Sequence, residues 1–186
     1  MKPSSNGRAL RAAARAACAA ALLLLCLLPA RAQQELTPPK VEVKAAAGGS
    51  TFILTDDSEL NHNTVGGAFR LYLSKHWSVE PEFTYMRHGK DDQDFYFIPN
   101  VAYDFGDPAG KFVPYALAGA GVWHHKGRYD GAPYPFTTWT LGVGGGIKIF
   151  LTDRLFVAPE ARIGHEPALR GSVSVGYVLW GRKRVK

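Results

Sequence analysis

The chain has 186 residues, of which 46% are hydrophobic, and it contains 22 basic residues, 16 acidic residues and two cysteines. This length fits a single domain. Five basic residues and both cysteines lie in the first 32 positions, so the remainder holds 17 basic against 16 acidic residues and no thiol. Because basic and acidic residues are nearly equal in number, net charge gives no reason to predict a nucleic-acid-binding surface. Because no cysteine remains, disulfides do not hold this part of the chain together.

The N-terminal segment has the three parts of a secretory signal peptide. Basic residues precede an apolar run over 16–28, and Pro29-Ala30-Arg31-Ala32 ends in an A-x-A cleavage pattern. A run of about 13 residues is too short for a spanning helix, which needs roughly 20. Cys26 follows two leucines rather than a small residue, so a lipoprotein signal is not predicted. We predict a signal peptide over 1–32 and a mature domain over 33–181.

The mature chain contains eight segments in which apolar and polar residues alternate, the pattern of β-strands. The most regular pair spans 137–164, where the polar break Thr152-Asp153-Arg154 predicts a hairpin turn. The predicted strands are 40–52, 63–73, 77–87, 94–105, 112–123, 137–151, 155–164 and 172–180.

The predicted connections alternate in length along the chain. The short ones are 74–76, 106–111 and 152–154, whereas the longer ones are 54–62, 88–93, 124–136 and 165–171. Such alternation is typical of an up-and-down barrel that spans the outer membrane. With eight strands, both ends of the barrel sequence fall on the short-turn side.

One face of the predicted strands is apolar and the other is charged. Odd positions hold the large apolar residues in all eight strands, including Val113, Tyr115 and Leu117, and even positions hold most charges. We predict an all-β, eight-stranded antiparallel barrel whose odd face meets lipid and whose even face lines the lumen. The predicted interfacial aromatics are Trp77, Tyr103, Phe105 and Tyr115 at one end, and Tyr85, Phe95, Trp123 and Trp139 at the other.

The opposite sidedness describes a different class of protein. A soluble periplasmic, lipocalin-like barrel would place its apolar face around a ligand and its charges in water. The alternation within a single hairpin fits both classes, so the membrane interpretation depends on strand number, strand length and the export signal.

Three stretches carry a resemblance to a known family: 112–122, 144–157 and the closing strand 173–180. They resemble the outer-membrane β-barrel domain family of Gram-negative bacteria, the small OmpA-type and OmpX-type barrels. The resemblance implies an outer-membrane location, contact with membrane lipids and insertion by the barrel-assembly machinery. We expect a monomer with no cofactor, no nucleic-acid partner and a surface partner that the sequence does not name.

The end of the chain departs from this family. Such barrels usually finish on an aromatic residue, whereas Trp180 is followed by Gly181 and a basic tail over 182–186. We predict a solvated tail, with attraction to anionic lipid headgroups as the alternative.

The even face predicts a structural network of lumenal charges made by Arg70, Glu80, Glu82, Lys148, Glu160 and Arg162. Counting across the turns places Arg70 opposite Glu80, and Glu160 diagonal to Lys148, so we predict both as ion pairs. Side chains fill the interior of an eight-stranded barrel, so no solute pore is predicted.

Five of the six histidines fall at the predicted long-loop end: His62, His88, His124, His125 and His165. Imidazoles at one rim could bind a transition metal or respond to acid, but their spacing gives no ligand set. We therefore predict no metal site. The acidic run 91–94 lacks the glycine and closing glutamate of a calcium loop, so it is predicted to be a solvated turn.

An enzymatic alternative comes from barrels that deacylate lipid A with a histidine followed two residues later by serine. His165 lies in the corresponding region, but Glu166-Pro167-Ala168 follows it, so the nucleophile is missing. We predict no catalytic residue. The favoured role is structural or interactive, through surface loops such as 126–136.

Overall fold

The computed structural model describes residues 38–52, 61–89, 92–129, 132–164 and 168–182; the predicted signal peptide lies outside them. The described residues form ten β-strands, and no described helix has the length and apolar character needed to cross a membrane. The strands are β1 (Pro39–Phe52), β2 (Asn61–Tyr72), β3 (Trp77–His88), β4 (Asp92–Asp104), β5 (Phe112–Lys126), β6 (Arg128–Tyr129), β7 (Ala132–Pro133), β8 (Phe136–Phe150), β9 (Leu155–Gly164) and β10 (Ala168–Gly181).

Eight of these strands close into an antiparallel barrel in the order β1-β10-β9-β8-β5-β4-β3-β2, and β6 pairs with β7 in a separate two-stranded ladder. The first and last strands pair from Pro39↔Gly181 to Phe52↔Ala168, with register shifts near Val41. Closure leaves no sheet edge, so the ladder satisfies its own backbone groups, as a membrane interior requires. The predicted eight-stranded barrel is confirmed.

The two ends of the barrel differ in their connections. We call the end that holds Pro39, Gly181 and connections 73–76, 105–111 and 151–154 the base, and the opposite end the mouth. The predicted alternation in loop length is wrong at two places. Because the strands extend further than predicted, connections 89–91 and 165–167 at the mouth are no longer than the turns at the base. Only 53–60 and 127–135 are long at the mouth.

Side chains alternate between a lipid face and the lumen with the predicted parity in seven of the eight barrel strands. In β3, even positions from Ser78 to Met86 are buried, while Trp77 and Phe83 are 52% and 63% exposed. Exposed apolar residues on other strands include Leu141, Val143 and Tyr177. An apolar surface of this kind suits lipid, so these seven strands contradict the lipocalin-like sidedness.

Strand β5 is inverted relative to the prediction. Asp104 pairs with Tyr115, so an even-numbered residue shares a face with an odd-numbered one, and His124↔Thr137 restores the original parity at the next connection. Paired residues in a ladder project to the same side, so Tyr115 and Trp123 lie in the lumen and are not interfacial aromatics. The sequence could not show this because 112–123 contains no charged residue to mark the inner face.

The lumen has an apolar layer near the base. Eight buried residues form it: Ala102, Val113, Tyr115, Leu117, Phe150, Phe156, Ala158 and Val178. Three of them belong to β5 and could enter the lumen only because that strand is inverted. Charged side chains begin at the same level, because Glu42 pairs with Val178, Asp104 with Tyr115 and Lys148 with Val113, and they continue toward the mouth.

Candidate functional site

The described part of the lumen encloses equal numbers of paired cationic and anionic side chains. Five lysines and arginines meet five carboxylates there, and all are buried or nearly so: Lys44, Arg70, Lys148, Arg162, Arg170, Glu42, Glu80, Glu82, Asp104 and Glu160. Burying a charge is tolerated only when it is paired and hydrogen-bonded, so equal numbers of both signs make such a core possible.

Lys148 on β8 occupies the part of this network closest to the base. Its Nζ donates to Asp104 Oδ2 at 2.6 Å and lies 3.3 Å from Glu42 Oε1. It also contacts Tyr72, whose Oη is 2.6 Å from Asp104 Oδ2. Side chains of β1, β2, β4 and β8 therefore converge on one ammonium group across the lumen.

Glu80 on β3 lies at the centre of the network. Arg70 Nε donates to Glu80 Oε2 at 2.5 Å, and Arg70 Nη1 donates to Asp104 Oδ1 at 3.1 Å. On its other side Glu80 Oε1 is 2.8 Å from Lys44 Nζ, which also donates to Glu160 Oε2 at 3.0 Å. One carboxylate is thus held between two cations, with no exposure to solvent.

Arg162 and Arg170 extend the network toward the mouth. Arg162 Nε donates to Glu160 Oε1 at 2.5 Å, and its Nη2 contacts Glu82. Arg170 Nη2 donates to Glu82 Oε1 at 2.6 Å, and its Nη1 donates to Thr84 Oγ1 at 2.9 Å. The two guanidinium groups therefore share Glu82.

The structure separates one predicted pair. Gly146 pairs with Glu160, so Lys148 is diagonal to Glu160 in register, but the two do not form an ion pair. The predicted Lys148–Glu160 bridge is wrong because residues of β1 intervene: Glu42 takes Lys148, and Lys44 takes Glu160. A count across one hairpin cannot include a partner from a distant strand.

Sequence analysis also missed members of the network. The sequence predicts Arg170 in the connection 165–171, although its alternation with Ser172 and Ser174 continues the even face of β10. It predicts Tyr115 on the lipid face, but because β5 is inverted Tyr115 lies in the lumen, where its Oη donates to Glu160 Oε2 at 2.6 Å.

A second group of polar side chains lies at the mouth, and we call it the mouth cluster: His62, Asp92, Asp94 and His125. His62 Nε2 is 3.1 Å from Asp92 Oδ2 and 3.5 Å from Asp94 Oδ2. His125 Nδ1 is 2.8 Å from Asp94 Oδ1 and 3.7 Å from Asp92 Oδ1. The indole of Trp123 donates to Asp94 Oδ1 at 2.8 Å. Asp94 is buried within β4, so the predicted solvated acidic turn is wrong at this position.

The remaining rim histidines have other surroundings. The ring of His88 lies 5.5 Å from that of His62. His124 projects from the outer face of β5, where its Nδ1 is 2.7 Å from Thr137 Oγ1. His76 lies at the base, with Nδ1 2.9 Å from Asp104 O. His165 is outside the described residues.

Arg182, the first residue of the predicted tail, closes the base of the barrel. Its Nη1 donates to Pro108 O at 3.1 Å, its Nη2 donates to Gly110 O at 3.0 Å, and its guanidinium lies 3.3 Å from the ring centroid of Phe150. Burial lowers the pKa of this guanidinium to about 10, so it remains a cation at neutral pH. This residue is therefore part of the folded barrel, in contrast to a solvated tail.

Replacing Arg182 with alanine is expected to destabilise the barrel by about 2 kcal/mol, because it removes hydrogen bonds from a charged donor and a cation–π contact. Urea unfolding in phospholipid vesicles measures the change. Arg154→Ala, which removes an exposed arginine from the same end, is the matched control and should cost less than about 0.5 kcal/mol. Equal effects of the two variants would contradict a closing role for Arg182.

Comparisons with known proteins agree with this architecture. A family model described as the outer membrane protein beta-barrel domain matches residues 18–175. No significant match was found among curated protein sequences.

Solved structures share the fold at low sequence identity. Neisserial surface protein A superposes with a TM-score of 0.60 at 14% identity, covering 75% of this chain and 96% of that one. The N-terminal β-barrel domain of Pseudomonas aeruginosa OprF gives 0.58 at 14%, covering 76% and 98%. Ail, the attachment invasion locus protein of Yersinia pestis, gives 0.51 at 16%, covering 81% and 99%.

Proposed function

This chain belongs to the outer membrane protein β-barrel domain family and resides in the outer membrane, and we propose that it is a non-conducting, non-enzymatic barrel that acts through the surface at its mouth. The filled lumen is the observation that carries this proposal. Side chains from strands three positions apart in the barrel meet across the lumen, as Lys148 does with Glu42 at 3.3 Å and Arg170 with Glu82 at 2.6 Å, and we infer that this leaves no continuous passage for a solute.

The contacts between histidine and hydroxyl side chains among the described residues support the absence of an enzymatic role. His124 and Thr137 are the only described histidine and hydroxyl side chains within hydrogen-bonding distance of each other, and both are exposed to some degree. No described carboxylate orients His124 as a third member, so this pair lacks the arrangement that activates a hydroxyl nucleophile.

A surface role is supported by the connection 127–135 at the mouth. It contains the β6–β7 ladder, and Tyr134 N donates to Gly127 O at 2.8 Å. Tyr134 is 58% exposed beside Phe136, and an exposed aromatic at the mouth is suited to contact another macromolecule. Two of the proteins that share the fold are named for a surface location and for attachment, which supports an interaction of this class.

Reconstitution tests the closed lumen. Ion flux through vesicles that contain the folded protein should match that of empty vesicles, while a general porin reconstituted in parallel should give rapid flux. Stepwise single-channel conductance of pore size from the purified barrel would contradict a non-conducting role.

A loop replacement tests the surface role. Substituting Asn-Gly for residues 127–134 joins Lys126 to Pro135 by a two-residue hairpin turn and preserves the β5–β8 register. We expect this variant to fold, shown by its altered migration without boiling, but to fail to restore the phenotype of a deletion strain that the wild-type gene restores. Full rescue by the variant would indicate a structural role for the barrel alone.

A further inference from the structure

The mouth cluster differs from the lumenal network in its charge. The network balances five cations with five carboxylates, whereas Asp92 and Asp94 form ion pairs only with histidines among the residues that the structure describes. With neutral imidazoles, the cluster carries two negative charges, and no lysine or arginine within the described ranges forms an ion pair with either aspartate. A bound divalent cation would complete the charge balance that the rest of the lumen achieves with side chains.

Three of the donors, those of His62, Asp92 and Asp94, are arranged around a common point, and His125 lies beyond them. Both carboxylates lie between the two imidazoles, because each aspartate approaches His62 through one oxygen and His125 through the other. The ligating atoms of His62, Asp92 and Asp94 all lie within 4.8 Å of one another. In a tetrahedral site with bonds of 2.0–2.2 Å, ligand atoms stand roughly 3.3–3.6 Å apart. Within the three-residue set, His62 Nε2 stands 3.1 Å from Asp92 Oδ2 and 3.5 Å from Asp94 Oδ2, close to that range.

One atom of the cluster has an unmet requirement. Asp92 Oδ1 is buried but has no hydrogen-bond partner within the described structure, and His125 Nδ1 is 3.7 Å away. A buried carboxylate oxygen without a donor is costly, and a metal ion is one of the groups that can satisfy it. The Asp92 side chain is 27% exposed, so its carboxylate lies at the surface of the mouth and can take an ion from solution.

The other side chains of the cluster are held by the fold. Asp94 pairs with His125 across β4 and β5, and it also accepts a hydrogen bond from Trp123, so its carboxylate is oriented before any ion arrives. His62 extends from β2 on the far side of β3, where it is buried at 3% exposure. Because the donors stand on strands and not on loops, little reorganisation is needed to bring them onto one ion.

We propose that His62, Asp92 and Asp94 of the mouth cluster bind a divalent first-row transition metal, with Zn²⁺ as the probe ion and His125 positioning Asp94. One imidazole nitrogen and two carboxylate oxygens are ligands that zinc takes, with water in the fourth position, and the same set also accepts Co²⁺. The ion would join β2 and β4 at the mouth. This site goes beyond the proposed surface function and does not depend on it.

The test uses full-length protein expressed with its signal, purified from membranes without a histidine tag and stripped of metal with a chelator. Titration with Co²⁺ should produce the visible absorption of a tetrahedral complex and saturate at one ion per chain, and Zn²⁺ should displace it. Trp123 fluorescence should change in the same titration, because its indole donates to Asp94.

The matched variants are His62→Ala/His125→Ala and His124→Ala. The double variant should weaken binding by at least about 100-fold, whereas His124→Ala removes the neighbouring imidazole from the outer face and should bind as the wild type does. Asp94→Asn keeps the shape of the side chain and should also lose affinity. It serves as the test if the double variant does not show the gel shift of a folded barrel.

Two results would overturn the site. One is a wild-type protein that takes up no Co²⁺ or Zn²⁺ at micromolar concentrations. The other is uptake that persists in a folded His62→Ala/His125→Ala or Asp94→Asn variant, which would place the ion elsewhere. Neither result affects the proposed function, since conductance and rescue by the loop variant are measured separately.

Discussion

Replacing Glu80 with alanine is expected to destabilise the folded barrel by about 3–5 kcal/mol, the cost of removing one partner from a buried ion pair. Glu80 is fully enclosed and lies between Arg70 at 2.5 Å and Lys44 at 2.8 Å. Without it, both cations remain in the lumen with one carboxylate fewer to neutralise them. Equilibrium unfolding by urea in phospholipid vesicles, followed by tryptophan fluorescence, measures the change.

Lys75→Ala is the matched control, because it removes an exposed charge from the β2–β3 turn near the base. It should change the free energy of unfolding by less than about 0.5 kcal/mol. The double variant Arg70→Ala/Glu80→Ala should cost less than the sum of the two single variants, with a coupling of about 0.5–3 kcal/mol. Additive costs, or a Glu80→Ala barrel as stable as the wild type, would show that this pair does not support the lumen.

The sequence was informative about strands and faces because both follow from a period of two residues. Alternation predicted the eight barrel strands, and charges at even positions such as Arg70 and Glu160 identified the inner face in six of them. In 172–180, which has no charged residue, the alternation of large apolar residues alone identified it. Strand ends were less predictable. Residues such as Arg170 and Asp92 are polar, as loop residues are, yet a lumenal position accepts the same polarity.

Partners across the lumen could not be predicted from the sequence. Register within a hairpin depends on local counting, which places Arg70 opposite Glu80. Contacts such as Lys148 with Glu42 join β8 to β1, which are separated in the barrel by β9 and β10, and they depend on barrel diameter and side-chain reach. The mouth cluster also depends on contacts between distant parts of the sequence. Its histidines, His62 and His125, are far apart in the chain and both contact the aspartates of β4.

The inverted face of β5 leads to the second large expected effect: Ala118→Arg should destabilise the barrel by about 2–4 kcal/mol, the cost of an arginine near the middle of the lipid face. Ala118 is exposed and pairs with Val101 on one side and Val143 on the other, which are 50% and 51% exposed. If the even positions of β5 faced the lumen as predicted, Ala118 would lie there, where carboxylates could compensate an added cation.

Val101→Arg is the matched control, since it places the same charge on the adjacent strand directly opposite Ala118. Both variants should lose similar stability in urea unfolding, because both side chains enter lipid at the same depth. A nitroxide attached to Ala118→Cys should also be accessible to oxygen dissolved in the bilayer and shielded from water-soluble quenchers. If Ala118→Arg cost far less than Val101→Arg and the nitroxide were inaccessible to oxygen in the bilayer, the even positions of β5 would face the lumen, as in the other strands. Tyr115 and Trp123 would then face lipid, and neither could reach Glu160 or Asp94.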